Sequence, residues 1–177
     1  MIAWGIDPGV YGAIGLLKTD SYGLCDASAA LLPYHREPID IGFRIIDMQK
    51  LHAGIGVLQA RSSPDLVVME TPLQTMAKGG RMSASAKTLA STWFNFSRLY
   101  TALEESCDCP LLFITAREWK KWAGLGKEKG QSVQMMRDRF GHLISDVEMA
   151  GLKAQREGQA EALLIAQYGL TVYGDKL

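Results

Sequence analysis

The chain opens on a short apolar stretch, Ile2 to Ile6, that ends in Asp7 and is broken by Pro8-Gly9; apolar character resumes from Tyr11 to Leu17. Two apolar runs joined by a Pro-Gly turn predict a β-hairpin. A third strand is expected within 27–34. Ile45, Met48, Leu51, Ile55 and Leu58 then recur at steps of three and four, one face of a helix that Ser62-Ser63-Pro64 closes. Asp65 to Glu70 is a short apolar run ending in an acid and reads as a buried strand. Residues 71–82 contain Pro72, Gly79 and Gly80 and read as a loop. Leu89, Trp93, Phe96, Tyr100 and Leu103 mark a long amphipathic helix.

Pro110 to Thr115 predicts another strand. Thr115 followed three residues on by Glu118 has the form of a capping box, so a helix begins there. A Gly/Lys-rich turn at 124–130 leads into a helix over about 132–140, and the chain closes with a helix over about 158–168. Hairpin strands followed by β-α alternation predict a mixed α/β sheet with helices on both faces. No internal repeat or domain boundary interrupts residues 1–177, which read as one domain.

Composition adds little to this picture. Hydrophobic residues at 47% and charged residues at 21% are ordinary for a soluble globular protein. No apolar run approaches the ~20 residues that span a bilayer, and the first residues lack the pattern of a signal peptide. A cytoplasmic protein without membrane attachment is the expectation. Three cysteines, two of them separated by a single residue, support neither a disulfide framework nor a zinc site. His35, His52 and His142 lack ligand spacing.

The net charge is zero, but its distribution is uneven. From Arg117 to Arg139 seven cationic residues stand against three acids, a local charge of +4. Such a stretch is either a solvated surface or a face that contacts phosphates.

The acids carry the chemistry. Asp7 and Glu70 each end a strand that is otherwise apolar, and a carboxylate there is costly unless it is paired or binds a cation. Hard divalent cations take such oxygen ligands and share them with phosphates. Glu157 and Glu161 are four apart, on one face near the expected start of the last helix. They either complete a four-carboxylate cluster or simply favour the helix N-terminus.

Gly5-Ile6-Asp7-Pro8-Gly9 with Gly12, Val67-Val68-Met69-Glu70, and Ala160-Glu161-Ala162-Leu163-Leu164-Ile165-Ala166 occur in this order. The set resembles the RuvC-like Holliday-junction resolvases, in particular their phage-borne branch. The resemblance implies an RNase H-like fold, a mixed β-sheet flanked by helices on both faces. It also implies two Mg²⁺ or Mn²⁺ ions held by Asp7, Glu70, Glu157 and Glu161, and a homodimer acting on four-way or branched DNA. Hydrolysis by two metal ions would leave 5′-phosphate and 3′-hydroxyl ends.

The phage-type pattern has His-Asp-Gly where this chain has Arg156-Glu157-Gly158. The extra methylene moves that carboxylate by about a bond length. Lys120, Lys121, Lys127 and Lys129 match the family's basic segment and are expected on backbone phosphates. Trp119 and Trp122, three apart, are expected to pack. Met76 and Met82, in the loop after Glu70, either wedge into the junction or fill the loop. The aromatic helix around Trp93 is expected to supply the dimer face.

Other readings stay open on sequence alone. One is a non-catalytic module that binds branched nucleic acid. Another is an RNase H-like nuclease acting on RNA·DNA hybrids or flaps. The turn Gly5 to Gly9 is also similar to a phosphate loop of actin-like sugar kinases, but a second such domain is missing, so no nucleotide cofactor is expected.

Overall fold

The computed structural model describes residues 1–9, 11–34, 45–72, 86–126, 128, 130–144 and 151–176. Five strands form one sheet: β1 (Ile2–Asp7), β2 (Ala13–Asp20), β3 (Gly23–Leu31), β4 (Leu66–Thr71) and β5 (Leu111–Thr115), in the order β3-β2-β1-β4-β5. The first three pair antiparallel, and β1, β4 and β5 run parallel. The predicted hairpin and the mixed sheet are both present. The third strand starts earlier than expected, at Gly23, because its first half pairs with β2 through alternating exposed positions that carry no apolar run.

The helices are α1 (Met48–Ser62), α2 (Ala86–Ser106), α3 (Ala116–Ala123), α4 (Gln131–Phe140) and α5 (Lys153–Tyr173). α1 begins later than the apolar periodicity suggests. Asp47 caps it by accepting from the Lys50 amide, while Ile46 instead bridges to Tyr34. α3 begins at the predicted capping box, with the Glu118 amide donating to Thr115 Oγ1 and the Thr115 amide to Glu118 Oε2.

Strand pleating sorts the core into two layers. Trp4, Ile6, Val67 and Met69 point to the face covered by α1 and α2, where they join Leu51, Ile55, Leu99 and Leu103. Ala3, Leu66, Val68 and Ile114 point to the other face, with Trp119 of α3, Met136 and Phe140 of α4, and Leu163 and Ala166 of α5. The same alternation puts Asp7 and Glu70 on the α5 side, since residues two apart on a strand share a face.

α5 lies directly on this second face. A Cβ on Gly5 would stand 2.1 Å from the Ala162 carbonyl oxygen and 2.2 Å from the Ala166 amide nitrogen, and one on Gly15 would stand 2.5 Å from the Leu163 amide. Only glycine permits backbone to approach backbone so closely within a strand.

Candidate active site

The site forms where the parallel strands β1 and β4 end. Their register pairs Ile6 with Met69, so Asp7 and Glu70 are the next residues on each strand. Reciprocal bonds between Ile2 and Asp65 at the other end hold that register: the Ile2 amide donates to Asp65 Oδ2 at 2.7 Å, and the Asp65 amide to the Ile2 carbonyl. The turn after β1 orients Asp7, whose Oδ1 accepts from the Gly9 amide at 2.9 Å. The Gly9 carbonyl in turn accepts from the Gly12 amide and the Tyr34 hydroxyl.

α5 supplies the other two acids. Gly158 is the close-approach point: a Cβ there would meet the Tyr11 carbonyl oxygen at 2.1 Å and Asp7 Oδ2 at 3.3 Å. Glu161 lies about one turn further on and acts on Asp7 electrostatically, while Glu157, the residue before Gly158, lines the adjoining cleft. The helix begins at Lys153, not near 158 as the sequence suggested. The Gln155 side chain accepts from the Leu152 amide at 2.7 Å and holds that start. Glu157 and Glu161 therefore sit beyond the first turn, where the dipole contributes little, and helix capping does not explain them.

The electrostatics are those of crowded acids. Burial, with the Glu70 and Glu161 carboxylates beside it, pushes the Asp7 carboxyl up from 3.8 to about 7. Burial also raises Glu70, against the opposing pull of its bond from Trp119 and of Lys120. Glu157 Oε1 is buried and has no hydrogen-bond partner among the described residues, which is costly for a carboxylate that no cation meets.

Two of the acids are engaged by α3. Trp119 Nε1 donates to Glu70 Oε2 at 2.6 Å, and Lys120 Nζ pairs with Glu161 Oε1 at 3.0 Å. Although burial opposes it, the Lys120 ammonium is held above its usual range by Glu161, Glu70 and Asp7. Sequence reasoning treats Trp119 as packing only. It is indeed fully buried, but its N–H reaches the site, and helical spacing carries no signal for that. A cleft of about 380 Å³, lined by Lys120, Gly126, Glu128, Ser132, Glu157 and Glu161, opens beside the acids.

The other predicted residues divide. Lys121 is exposed on α3, as a phosphate contact requires. Lys120 points inward to Glu161, and Arg139 donates to Gln167 and lies over the Trp122 ring, so the basic stretch is not one outward face. Trp122 packs edge-on against Tyr168. Met76, Met82, Lys127, Lys129 and His35 lie outside the described residues. His52 and His142 are exposed. On the opposite side of the sheet, Trp93, Phe96 and Tyr100 of α2 join Phe113 of β5 in an aromatic row with ring centroids 5.5 to 5.8 Å apart; Trp93 and Phe113 are well exposed.

No family model matches the chain, and no curated protein matches its sequence. Solved structures do. RuvC of T. thermophilus, in complex with a Holliday junction substrate, superimposes with a TM-score of 0.58 at 17% identity, covering 97% of each chain. The fold is that of RuvC. A second Thermus thermophilus RuvC structure gives 0.56 at 20% identity over 97% of this chain and 96% of that one. The yeast mitochondrial Holliday junction resolvase gives 0.57 at 16% identity, over 98% of this chain and 82% of that one. Within the RuvC fold, the mixed five-stranded sheet with helices on both faces is the RNase H-like architecture expected from the sequence.

Proposed function

We propose that this chain is a metal-dependent, structure-selective endonuclease that resolves four-way or branched DNA. The observation that carries this reading is the seating of α5 on Gly5 and Gly15 of a RuvC fold, with Glu161 beside Asp7 at the β1–β4 strand ends and Glu157 lining the adjoining cleft.

The donor chemistry suits Mg²⁺ or Mn²⁺. All four candidate ligands are carboxylates, the set that hard cations prefer. Asp7 is raised by burial and by the Glu70 and Glu161 carboxylates, and Glu157 has a buried oxygen without a partner among the described residues, so a cation would relieve both. The four carboxylates do not form a closed cage: among the described residues no three Asp, Glu, His or Cys side chains stand together as a metal site. Two of them are instead engaged by Trp119 and Lys120. A cation at Glu161 would compete with Lys120 for that carboxylate.

Two bound ions would activate a water and stabilise the leaving 3′ oxygen, yielding 5′-phosphate and 3′-hydroxyl ends. The chain's own residues prepare this. Asp7, on the central strand, would hold the ions together with Glu70, Glu157 and Glu161. Lys120, once released, and exposed Lys121 offer cations to phosphate oxygens. Two cuts in one junction call for a homodimer, and the exposed aromatic row of α2 and β5 is the surface we assign to it.

A labelled four-way junction, incubated with and without Mg²⁺ or Mn²⁺, tests the reading. Paired, metal-dependent nicks are expected. Asp7→Asn should reduce them by about three orders of magnitude, the equivalent of several kcal/mol of metal stabilisation. The ion pair of Lys120 with Glu161 favours one alternative, a module that binds branched DNA without cutting it. Tight binding with no cleavage in either metal would select that alternative. Preferential cleavage of RNA·DNA hybrids or flaps would redirect the substrate.

A further inference from the structure

Trp119 is fully buried in the apolar cluster beneath α5, and a smaller apolar residue would satisfy the pattern of α3. A buried indole needs one acceptor for its N–H. Here that acceptor is Glu70, the acid that β4 brings to the site, through a 2.6 Å bond to Oε2. The donor is neutral, has a single N–H and accepts nothing. It therefore fixes one carboxylate oxygen without competing with a cation for the other. Lys120, the next residue, acts in the opposite way, because its ammonium neutralises Glu161 directly.

From this geometry we infer that Trp119 is a positioning residue, which holds Glu70 in the orientation that receives a divalent cation. The inference deepens the proposed function and rests on Glu70 being a metal ligand. Partners that orient a metal ligand in this way typically change metal affinity by about 10–100-fold when removed. The burial of Trp119 makes its bond a stiff one: the fully buried ring belongs to the same close-packed apolar cluster as Ile114, Phe140 and Leu163, so the N–H has little freedom to follow Glu70 if the carboxylate swings away.

The test is Mn²⁺ binding to the full chain, by calorimetry and by the loss of free-Mn²⁺ electron paramagnetic resonance signal. Trp119→Phe should bind Mn²⁺ at least about tenfold more weakly. Trp122→Phe, on the same helix but packed on Tyr168, should bind like the wild type. A nuclear magnetic resonance signature accompanies this. The chain has four tryptophans, and Glu70→Gln or added Mg²⁺ should move one indole N–H resonance far more than the other three.

Equal Mn²⁺ affinity in wild type and Trp119→Phe overturns the inference and leaves the endonuclease reading standing. If wild type binds Mn²⁺, Trp119→Phe binds it weakly and no junction is cut, the inference stands and the endonuclease reading falls. A wild type that binds no Mn²⁺ overturns both. If Trp119→Phe does not fold, the indole resonances decide: four unmoved signals on Glu70→Gln overturn the inference.

Discussion

The two faces of the sheet are built on opposite principles. The face under α1 and α2 is filled by large side chains, with Trp4, Ile6, Leu16 and Met69 meeting Leu51, Ile55, Leu99 and Leu103, all essentially inaccessible to solvent. Those helices stand off at the distance their side chains dictate. The face under α5 is thinned along its axis to Gly5, Gly15, Ala162 and Ala166, so a helix backbone rests on strand backbone. A thick layer would seal the strand ends in hydrocarbon. A thin one lets Glu161 come beside Asp7 and Glu70, at the cost of packing carboxylates together in a half-buried place. One face supplies stability, and the other gives some of it up to assemble a site.

The comparison breaks first, and by the largest amount, on pH. The Asp7 carboxyl sits at about 7 in the fold against 3.8 ordinarily, so between those values the native state binds more protons than the unfolded chain. The stability that Asp7 contributes to the metal-free protein is then full below about pH 4 and is lost as pH rises through about 7. The upper bound on this loss is about 4 kcal/mol at 1.36 kcal/mol per pH unit, lessened by the water that reaches Asp7. Urea melts across that window should show the slope. Asp7→Asn should flatten it, and Mg²⁺ at pH 8 should restore the lost stability. An unchanged slope in Asp7→Asn would mean that the strand-end acids do not carry the strain assigned to them.

The second break is steric. Gly5→Val inserts a branched side chain where even a Cβ would lie 2.1 Å from a carbonyl oxygen. Backbone on both sides leaves nothing to yield, which sets the cost at the top of the overpacking range, about 3 kcal/mol or more. The melting temperature should fall by roughly 6–12 °C. Gly158→Ala is a milder version. Alanine gains about 1 kcal/mol of helix propensity, but its Cβ would meet the Tyr11 carbonyl at 2.1 Å and crowd Asp7. A net loss of about 1–2 kcal/mol is expected, together with weaker Mn²⁺ binding by calorimetry, because α5 must lift from Asp7. A stabilised Gly158→Ala variant would show that the helix is not pressed against the strand ends.

What the sequence made legible follows the same division. Asp7 and Glu70 were readable because an acid that ends an apolar strand has no ordinary reason to be there, and Thr115 with Glu118 announced α3 by a local hydrogen-bond pattern. Gly5 and Gly15 carried the signal for close backbone approach, yet only the register of α5 tells which helix comes down on them. The start of α5 at Lys153 is not legible in the sequence, because Leu152 and Lys153 offer no side-chain cap and the helix is held instead by Gln155 reaching back. Trp119 and Lys120 were the least legible. Their spacing gives the face of α3 they occupy, while their partners, Glu70 and Glu161, are 49 and 41 residues away. Side-chain pairing over such separations is decided by tertiary packing.

The smallest effect sharpens the contrast from the other face. Ile55→Val removes one methylene from the fully buried side of α1, in the apolar cluster that also holds Trp4 and Ile6. The expected cost is about 0.5–1.5 kcal/mol, the usual loss for that deletion in a packed core. Because this layer lies across the sheet from the acids, the stability lost should leave Mn²⁺ affinity and junction cleavage unchanged at temperatures where the variant is folded. Denaturant melts and Mn²⁺ calorimetry on the same preparation separate the two quantities. A variant that loses metal affinity along with stability would show that the large-residue face also sets the positions of Asp7 and Glu70, and the division of labour between the faces would have to be abandoned.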